Sequence, residues 1–164
     1  MNGLLIRPYR DGDAPALARI FHRAVRDGAQ DHYSERERTA WSPAIPEGSE
    51  WVARLTVADT IVAECDGTPA GFMTINTGTG FLDFAYVAPE QMGRGVAEVL
   101  YAVIEGRARV AGCRVLETEA SKLAERFFAR RGWHLVARQS VDRGGVAIPN
   151  AVMRKPLTLR KAVA

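Results

Sequence analysis

The segment FLDFAYVAPEQMGRGVAEVL, residues 81–100, constrains the fold of this chain more than any other stretch. It begins as an apolar strand over 81–87, passes through a turn that contains Gly93 and Gly95, and continues as an amphipathic helix predicted over about 92–109. The first amides of a helix have no partner within the helix, and the helix dipole adds positive potential there. Because glycine has no Cβ, an anion with several oxygens can approach these amides closely. The pattern therefore predicts a strand–turn–helix unit that binds an anion.

The identity of that anion is narrowed by two patterns that the turn lacks. The sequence has no GxxxxGK[ST], and Glu98 occupies the last glycine position of GxGxxG. The turn also follows three predicted strands rather than opening a βαβ series. A pyrophosphate held by backbone amides, with Arg94 beside it, therefore fits best. A tight turn that needs Gly93 and Gly95 only for their dihedral angles explains the same residues, and the glycines alone leave both interpretations open.

The rest of the chain predicts one α+β domain covering residues 1–164. Helix starts are indicated by Asp13 before Pro15, where the carboxylate is expected to cap free amides, and by the capping box of Ser34 and Glu37. The helices are segregated enough along the chain to favour an α+β sheet over a doubly wound one. The predicted strands cover residues 4–9, 60–65, 69–75, 81–87, 114–120, 133–138 and 146–155, and helices are predicted from Asp13, Ser34 and Ser121 and near Met92, with a further helical segment at 50–55.

Composition excludes several classes of function. The formal net charge is +3 and the basic residues alternate with acidic ones. The surface therefore lacks the continuous basic patch that is typical of nucleic-acid-binding proteins. No apolar run is long enough to span a membrane, and the N-terminus has no signal-peptide pattern. Cys65 and Cys113 show no pairing pattern, so we expect reduced thiols in a cytoplasmic protein. The histidines His22, His32 and His134 lack metal-ligand spacing, so no metal is expected.

Several segments of the chain resemble those of a known family. YVAPEQMGRGVAEVL resembles the acetyl-CoA signature of the GNAT superfamily of N-acetyltransferases, (Gln/Arg)-x-x-Gly-x-(Gly/Ala), with Met92, Gly95 and Ala97 at its three positions. RPYRDGDAPALARIF, AECDGTPAGFMTI and ASKLAERFFARRGW are similar to the family's first strand and helix, central hairpin and late helix. The resemblance implies an α/β/α layered fold. Its sheet would be mixed and mostly antiparallel, with about six to seven strands flanked by about four helices.

The resemblance also implies acetyl-CoA as co-substrate, with no metal. Met92 replaces the usual Gln or Arg, and Phe128 stands where many members carry a tyrosine that is proposed to protonate the departing thiolate. Ser121 matches an asparagine near the pantetheine arm but fits a plain helix cap equally well. Arg130 fits either the 3′-phosphate or a solvated helix end. The implied coenzyme-binding residues are Tyr86, Val87, Met92, Gly93, Arg94, Gly95, Val96, Ala97, Ser121, Phe127, Phe128 and Arg130.

Acidic residues supply the candidate catalytic base. Asp83 lies on the strand before the glycine turn, where many relatives have a glutamate; its apolar neighbours favour a functional role, although strand alternation could place it at a solvated edge. Glu119 is the second candidate, and Glu117 with Glu119 suggests an acidic acceptor pocket, unless both pair with arginines. Tyr33 and Trp41 are predicted to line that pocket, with Tyr33 as the missing acid, although Trp41 also suits a core position.

Taken together, these observations predict an acetyl-CoA-dependent N-acetyltransferase. It would move the acetyl group from the CoA thioester to a primary amine, of a small molecule or a protein, by direct attack. The alternative is a non-catalytic acyl-CoA-binding sensor or partner module on the same fold. A homodimer through the last strands and Trp133 is a further expectation.

Overall fold

The computed structural model describes residues 3–158, and its centre is a mixed sheet of seven strands. The strands are β1 Leu4–Pro8, β2 Asp59–Cys65, β3 Thr68–Asn76, β4 Phe81–Val87, β5 Val115–Ala120, β6 His134–Arg143 and β7 Val146–Pro156. Their order is β1-β2-β3-β4-β5-β7-β6, and β4–β5 is the parallel pair among antiparallel ones. The predicted α+β class and the mixed, mostly antiparallel sheet are confirmed. The single domain over 1–164 stays a prediction, since residues 1–2 and 159–164 lie outside the described part.

Helices cover both faces of the sheet. Within the described residues there are five α-helices, α1 Ala14–Arg23, α2 Glu35–Trp41, α3 Gly48–Thr56, α4 Val96–Val110 and α5 Lys122–Ala129, where the resemblance implied about four. On one face Leu17 of α1, Trp51 of α3 and Phe84 of β4 belong to one buried cluster. On the other face Leu100 of α4 and Phe128 of α5 belong to a separate buried cluster. The sheet is thus the middle layer of an α/β/α arrangement.

Several helix ends follow from local chemistry. The capping box is present, with the Ser34 side chain accepting from the Glu37 amide, and Ser121 caps α5 by accepting from the Ala124 amide. A helix does begin after Asp13, but the predicted capping by its carboxylate is wrong. Asp13 stands at the N-cap position of α1 but makes no capping bond, because its carboxylate binds the buried Arg7 guanidinium at 2.8 Å through both oxygens.

Two predicted boundaries move. Helix α4 begins at Val96 rather than near Met92, because the residues before it adopt extended and left-handed conformations. Strand β6 continues to Arg143, beyond the predicted end at 138, since it forms a long hairpin with β7. Between residues 3 and 158, no helix combines the length and apolar character that crossing a membrane requires.

Candidate active site

Strands β4 and β5 separate soon after they meet. Their parallel pairing is limited to Phe81 with Glu117 and Leu82 with Thr118, although β4 continues to Val87. The Ala88 amide donates to Ala70 on the β3 side, so alternation turns the preceding Val87 amide toward the gap. The cleft between the strands is therefore lined by main-chain groups that a ligand can reach.

A β-bulge shapes the β4 side of this cleft. Thr74 of β3 pairs with Phe84 and Ile75 pairs with Leu82, which leaves Asp83 as the extra residue. The bulge changes which face each later side chain occupies, so Leu82 joins the α4 cluster whereas Phe84 joins the α1 cluster. Asp83 points to solvent with its side chain 41% exposed, so its apolar neighbours do not bury it as the functional prediction assumed.

The turn after β4 exposes a row of backbone amides. Gly93 and Gly95 have φ of +74° and +85°, the left-handed region that glycine adopts without strain. Among residues 3–158, no acceptor binds the amides of residues 93–98. These amides lie at the positive end of the fifteen-residue helix α4. The arrangement fits an anion with several oxygens, as the sequence predicted.

One cavity of about 220 Å³ lies beside this turn. The side chains of α5 and of residues 24–29 form its opposite wall, and the wall is mostly apolar. Arg94 and Arg130 are exposed and do not line it, so their predicted contacts stay predictions. The predicted coenzyme residues that do line it are Tyr86, Val87, Met92, Gly93, Gly95, Val96, Ala97, Ser121, Phe127 and Phe128.

A second cavity of about 430 Å³ lies on the other side of the cleft and shares several lining residues with the first. Trp41, Tyr86, Ser121 and Phe128 line both cavities. The larger cavity is bounded by α2, α3, the ends of β4 and β5, and the β6–β7 hairpin. A ligand in one cavity and a ligand in the other would therefore meet at the gap between the strands.

The acidic candidates divide between this larger cavity and the open sheet face. Asp83 and Glu119 both line the cavity. Glu117 does not line it; its carboxylate pairs with Arg154 at 2.6 Å on the exposed sheet face. The geometry therefore gives no support to Glu117 as a substrate residue, because its charge is already paired outside the cavity.

Tyr33 and Trp41 both line the larger cavity, but Tyr33 is not free to act as an acid. Its hydroxyl donates to the Pro149 carbonyl at 2.7 Å and accepts from the Lys122 amide at 2.9 Å. Burial raises the pKa of Tyr33. The hydroxyl therefore fastens α5 to β7, and the structure argues against the predicted proton transfer. Trp41 packs edge-on against the Tyr33 ring.

The charged and amide side chains of Arg54, Arg143 and Asn150 line the larger cavity but were not predicted from the sequence. Arg54 lies 3.4 Å from Asp83 and stacks over the Phe84 ring. Arg143 comes from the β6–β7 hairpin, and Asn150 from the middle of β7. A single polar residue within the otherwise apolar run 146–153 was the signal available for Asn150. No local pattern identifies Arg143, because only the hairpin brings it to the cavity.

Comparison with known proteins identifies the family. The family described as an acetyltransferase (GNAT) domain matches residues 29–155. The chain belongs to the GNAT superfamily of N-acetyltransferases. It is 34% identical over 154 residues to the uncharacterized N-acetyltransferase YafP of Escherichia coli K12, covering 94% of this chain and 97% of that protein.

Solved structures agree with this assignment. A GCN5-related N-acetyltransferase from Rhodopseudomonas palustris is 33% identical, with a TM-score of 0.89 over 96% of this chain and 98% of that one. The PaiA N-acetyltransferase from Thermoplasma acidophilum, solved in complex with coenzyme A, has a TM-score of 0.70 at 18% identity, over 94% of this chain and 99% of that one. The first confirms the predicted GNAT fold, and the second shares that fold.

This GNAT chain departs from the family pattern at Met92. The Met92 side chain packs against the π-helical turn Ala24–Gly28, where a Cβ on Gly28 would come within 2.5 Å of its Cε. A thioether donates no hydrogen bond to a phosphate. Binding of an anion at this GNAT turn therefore depends on the main-chain amides.

The second departure is Phe128, which is buried against Trp133 and has no hydroxyl. Tyr86 is the tyrosine that lies where the two cavities of this GNAT domain meet. Its hydroxyl makes no hydrogen bond to residues 3–158, and burial, followed by the nearby Asp83 charge, raises its pKa. Tyr86 therefore stays protonated and can donate a hydrogen bond to an anion.

Proposed function

We propose that this chain is an acetyl-CoA-dependent N-acetyltransferase that transfers the acetyl group to a primary amine, of a small molecule or a protein, by direct attack. The observation that carries the proposal is the junction of two cavities at the gap between β4 and β5. One cavity adjoins the free amides of residues 93–98, and the other contains Asp83 and Glu119. Family membership favours catalysis over a non-catalytic acyl-CoA-binding module.

The smaller cavity suits acetyl-CoA as the donor substrate. The amides of residues 93–98 would bind its pyrophosphate, and the apolar wall formed with Phe127 would contact the pantetheine arm. The Val87 amide, turned toward the gap, would receive the thioester oxygen. Because the backbone already fixes this donor, it can stabilise an oxyanion without reorganisation during the reaction.

The larger cavity suits the amine. An alkylammonium of ordinary pKa near 10 must lose a proton before it attacks. Glu119 is the better placed base, because no partner within residues 3–158 binds its carboxylate, whereas Asp83 shares its charge with Arg54. The neutral nitrogen then forms a bond to the thioester carbon, the C–S bond breaks, and the CoA thiolate leaves with both electrons. The nitrogen loses its extra proton to that thiolate, which gives the neutral amide and the CoA thiol. A thiol of reference pKa about 8.5 leaves without a protein acid.

Thiol release in the presence of acetyl-CoA and a panel of primary amines tests the proposal. Gly95→Asp should abolish acetyl-CoA binding, and Glu119→Gln should lower kcat by about a hundredfold. The loss of kcat in Asp83→Asn measures how much Asp83, the alternative base, contributes to the reaction. Glu117→Gln is the matched control, since Glu117 lies on the same strand but outside the cavity. Tight acetyl-CoA binding with no turnover on any amine would favour the non-catalytic alternative.

Two expectations about the protein's setting accompany this function. We place it in the cytoplasm, because Cys65 and Cys113 are free thiols. Trp133 cannot serve a homodimer as expected, since it is buried and its indole donates to the Tyr101 hydroxyl. The exposed edge strand β6 is the remaining candidate for a homodimer contact, and sedimentation of the purified protein tests it.

A further inference from the structure

One face of the β6–β7 hairpin forms a wall of the larger cavity. Val141 of β6 pairs with Ile148 of β7 at the centre of this wall. Two residues away along each strand, and therefore on the same face, stand Arg143 toward the hairpin tip and Asn150 toward β5. The hairpin thus presents one cationic and one amide side chain to the same ligand space.

The side chain of Asn150 in this wall has a polar atom without a hydrogen-bond partner among the described residues. This atom is Oδ1, and it is buried. In this orientation of the amide, the unpaired atom is a hydrogen-bond acceptor. Buried polar groups are rarely left unpaired, and the exceptions tend to have a functional explanation. An acceptor ligand with N–H groups would supply the missing partner.

The charges around the cavity divide into a compensated pair and two single charges. Asp83 lies 3.4 Å from Arg54, so these two offset each other. Glu119 and Arg143 line the same cavity, and neither has an ion-pair partner within 4.0 Å among the described residues. The cavity therefore offers one free carboxylate and one free guanidinium.

The backbone positions of Glu119 and Arg143 are separated along the sheet. Glu119 pairs with Val152 of β7, which makes Asn150 its diagonal neighbour, roughly 7–8 Å away between Cα atoms. Arg143 pairs with Val146, and the rise of a strand places that position about 13 Å from Asn150 along β7. Glu119 and Asn150 therefore lie at the end of the sheet nearest the β4–β5 gap, and Arg143 lies toward the hairpin tip.

We infer that the acceptor is a small bifunctional molecule, an amine separated by several bonds from an acidic group. Arg143 binds the acidic group, while Glu119 and the Asn150 amide receive the amine next to the gap. Arg143 and Asn150 thereby become the specificity-determining residues of the acceptor site. The inference rests on the proposed function for the identity of the amine as the reacting group, but the anion contact stands on the geometry of the cavity alone.

Equilibrium binding to the protein saturated with CoA tests the inference without requiring turnover. Calorimetry would compare 4-aminobutyrate, 5-aminopentanoate and 6-aminohexanoate with the amino alcohols of the same chain length, which lack the charge. We expect at least one amino acid of the series to bind about tenfold more tightly than its amino alcohol. Equal binding of every matched pair would overturn the inference.

Variants assign the preference to a residue. Arg143→Gln should remove the tenfold preference for the carboxylate, and as an exposed hairpin residue it leaves the core intact. Arg138→Gln is the matched control, because Arg138 is on the same strand but pairs with Glu125 instead of lining the cavity. Asn150→Leu should weaken both members of each pair by a similar factor. A preference that survives Arg143→Gln, or disappears in Arg138→Gln, contradicts the assignment.

Thiol release with the same compounds separates the two proposals. A binding preference for the carboxylates without any release of CoA thiol would overturn the proposed enzymatic function and leave the anion contact in place. Release of thiol with every amine at equal efficiency, and no binding preference, would overturn the inference and leave the enzymatic function in place.

Discussion

The hydroxyl of Thr118 donates a 2.8 Å hydrogen bond to the backbone carbonyl of Leu82, at the last residue pair before β4 and β5 separate. Both residues are buried. Because the strands stop pairing here, the Leu82 carbonyl would otherwise face the cleft without a hydrogen-bond donor from β5. The Thr118 side chain therefore satisfies the backbone at the base of the gap in which the two cavities meet.

Thr118→Val should destabilise the protein by about 1 kcal/mol, since it removes the donor and leaves a buried carbonyl unsatisfied at nearly unchanged volume. The free energy of unfolding from urea titration measures this effect. Thr56→Val is a control, because the Thr56 hydroxyl bonds within an exposed helix end. An equal loss in both variants would show that the position at the gap has no special role.

Gly95→Ala should weaken acetyl-CoA binding and cost about 1 kcal/mol of stability, because an alanine at φ of +85° is strained. Gly106→Ala provides the opposite case: Gly106 lies inside α4 with open space around its Cα, so alanine should stabilise the protein by about 0.5–1 kcal/mol. Calorimetric binding and thermal unfolding of both variants measure the contrast. Unchanged acetyl-CoA affinity in Gly95→Ala would contradict the role of the turn.

Tyr33→Phe should lower stability by about 1–2 kcal/mol while kcat stays within about twofold, because the hydroxyl links Pro149 and Lys122 and transfers no proton. Tyr86→Phe should instead lower kcat by about tenfold, since its free hydroxyl lies where the cavities meet. Steady-state kinetics on folded variants measures both. A hundredfold loss of kcat in Tyr33→Phe alone would restore Tyr33 as the acid.

Glu105 should make stability depend on pH in acid. Burial opposes its ionisation, but hydrogen bonds from Lys155, Tyr101 and Arg109 lower the pKa of Glu105 from 4.5 to about 2. Between these values the unfolded chain binds a proton that the folded chain does not, so stability is present above pH 4.5 and is lost as pH falls toward 2.

The loss attributable to Glu105 should be on the order of 2 kcal/mol. Urea unfolding between pH 5 and pH 2 measures it, and Glu105→Gln should flatten the slope over that range. Glu117→Gln serves as the comparison, because its exposed ion pair with Arg154 contributes little to stability. A slope that is unchanged in Glu105→Gln would place the acid sensitivity elsewhere.

Local sequence determined the elements whose causes lie within a few residues. The left-handed glycines of the turn, the capping box at Ser34 and the cap at Ser121 were predictable because each depends on neighbouring backbone geometry. The role of Asp13 was not, since its carboxylate responds to Arg7 on another element rather than to the helix it precedes. The alternation of side chains along β4 likewise could not predict the bulge at Asp83, because the bulge arises from the pairing of β4 with β3.

The sequence by itself determined the strand–turn–helix with its bared amides and, through its resemblance, the GNAT fold. Only the tertiary structure decided which polar groups remain free. It satisfied the Tyr33 hydroxyl and the Glu117 carboxylate with distant partners, and it brought Glu119, Arg143 and Asn150 to one cavity without any. The physical reason is that hydrogen-bond and charge satisfaction depend on residues far apart in the chain, whereas helix caps and turns depend on residues next to each other.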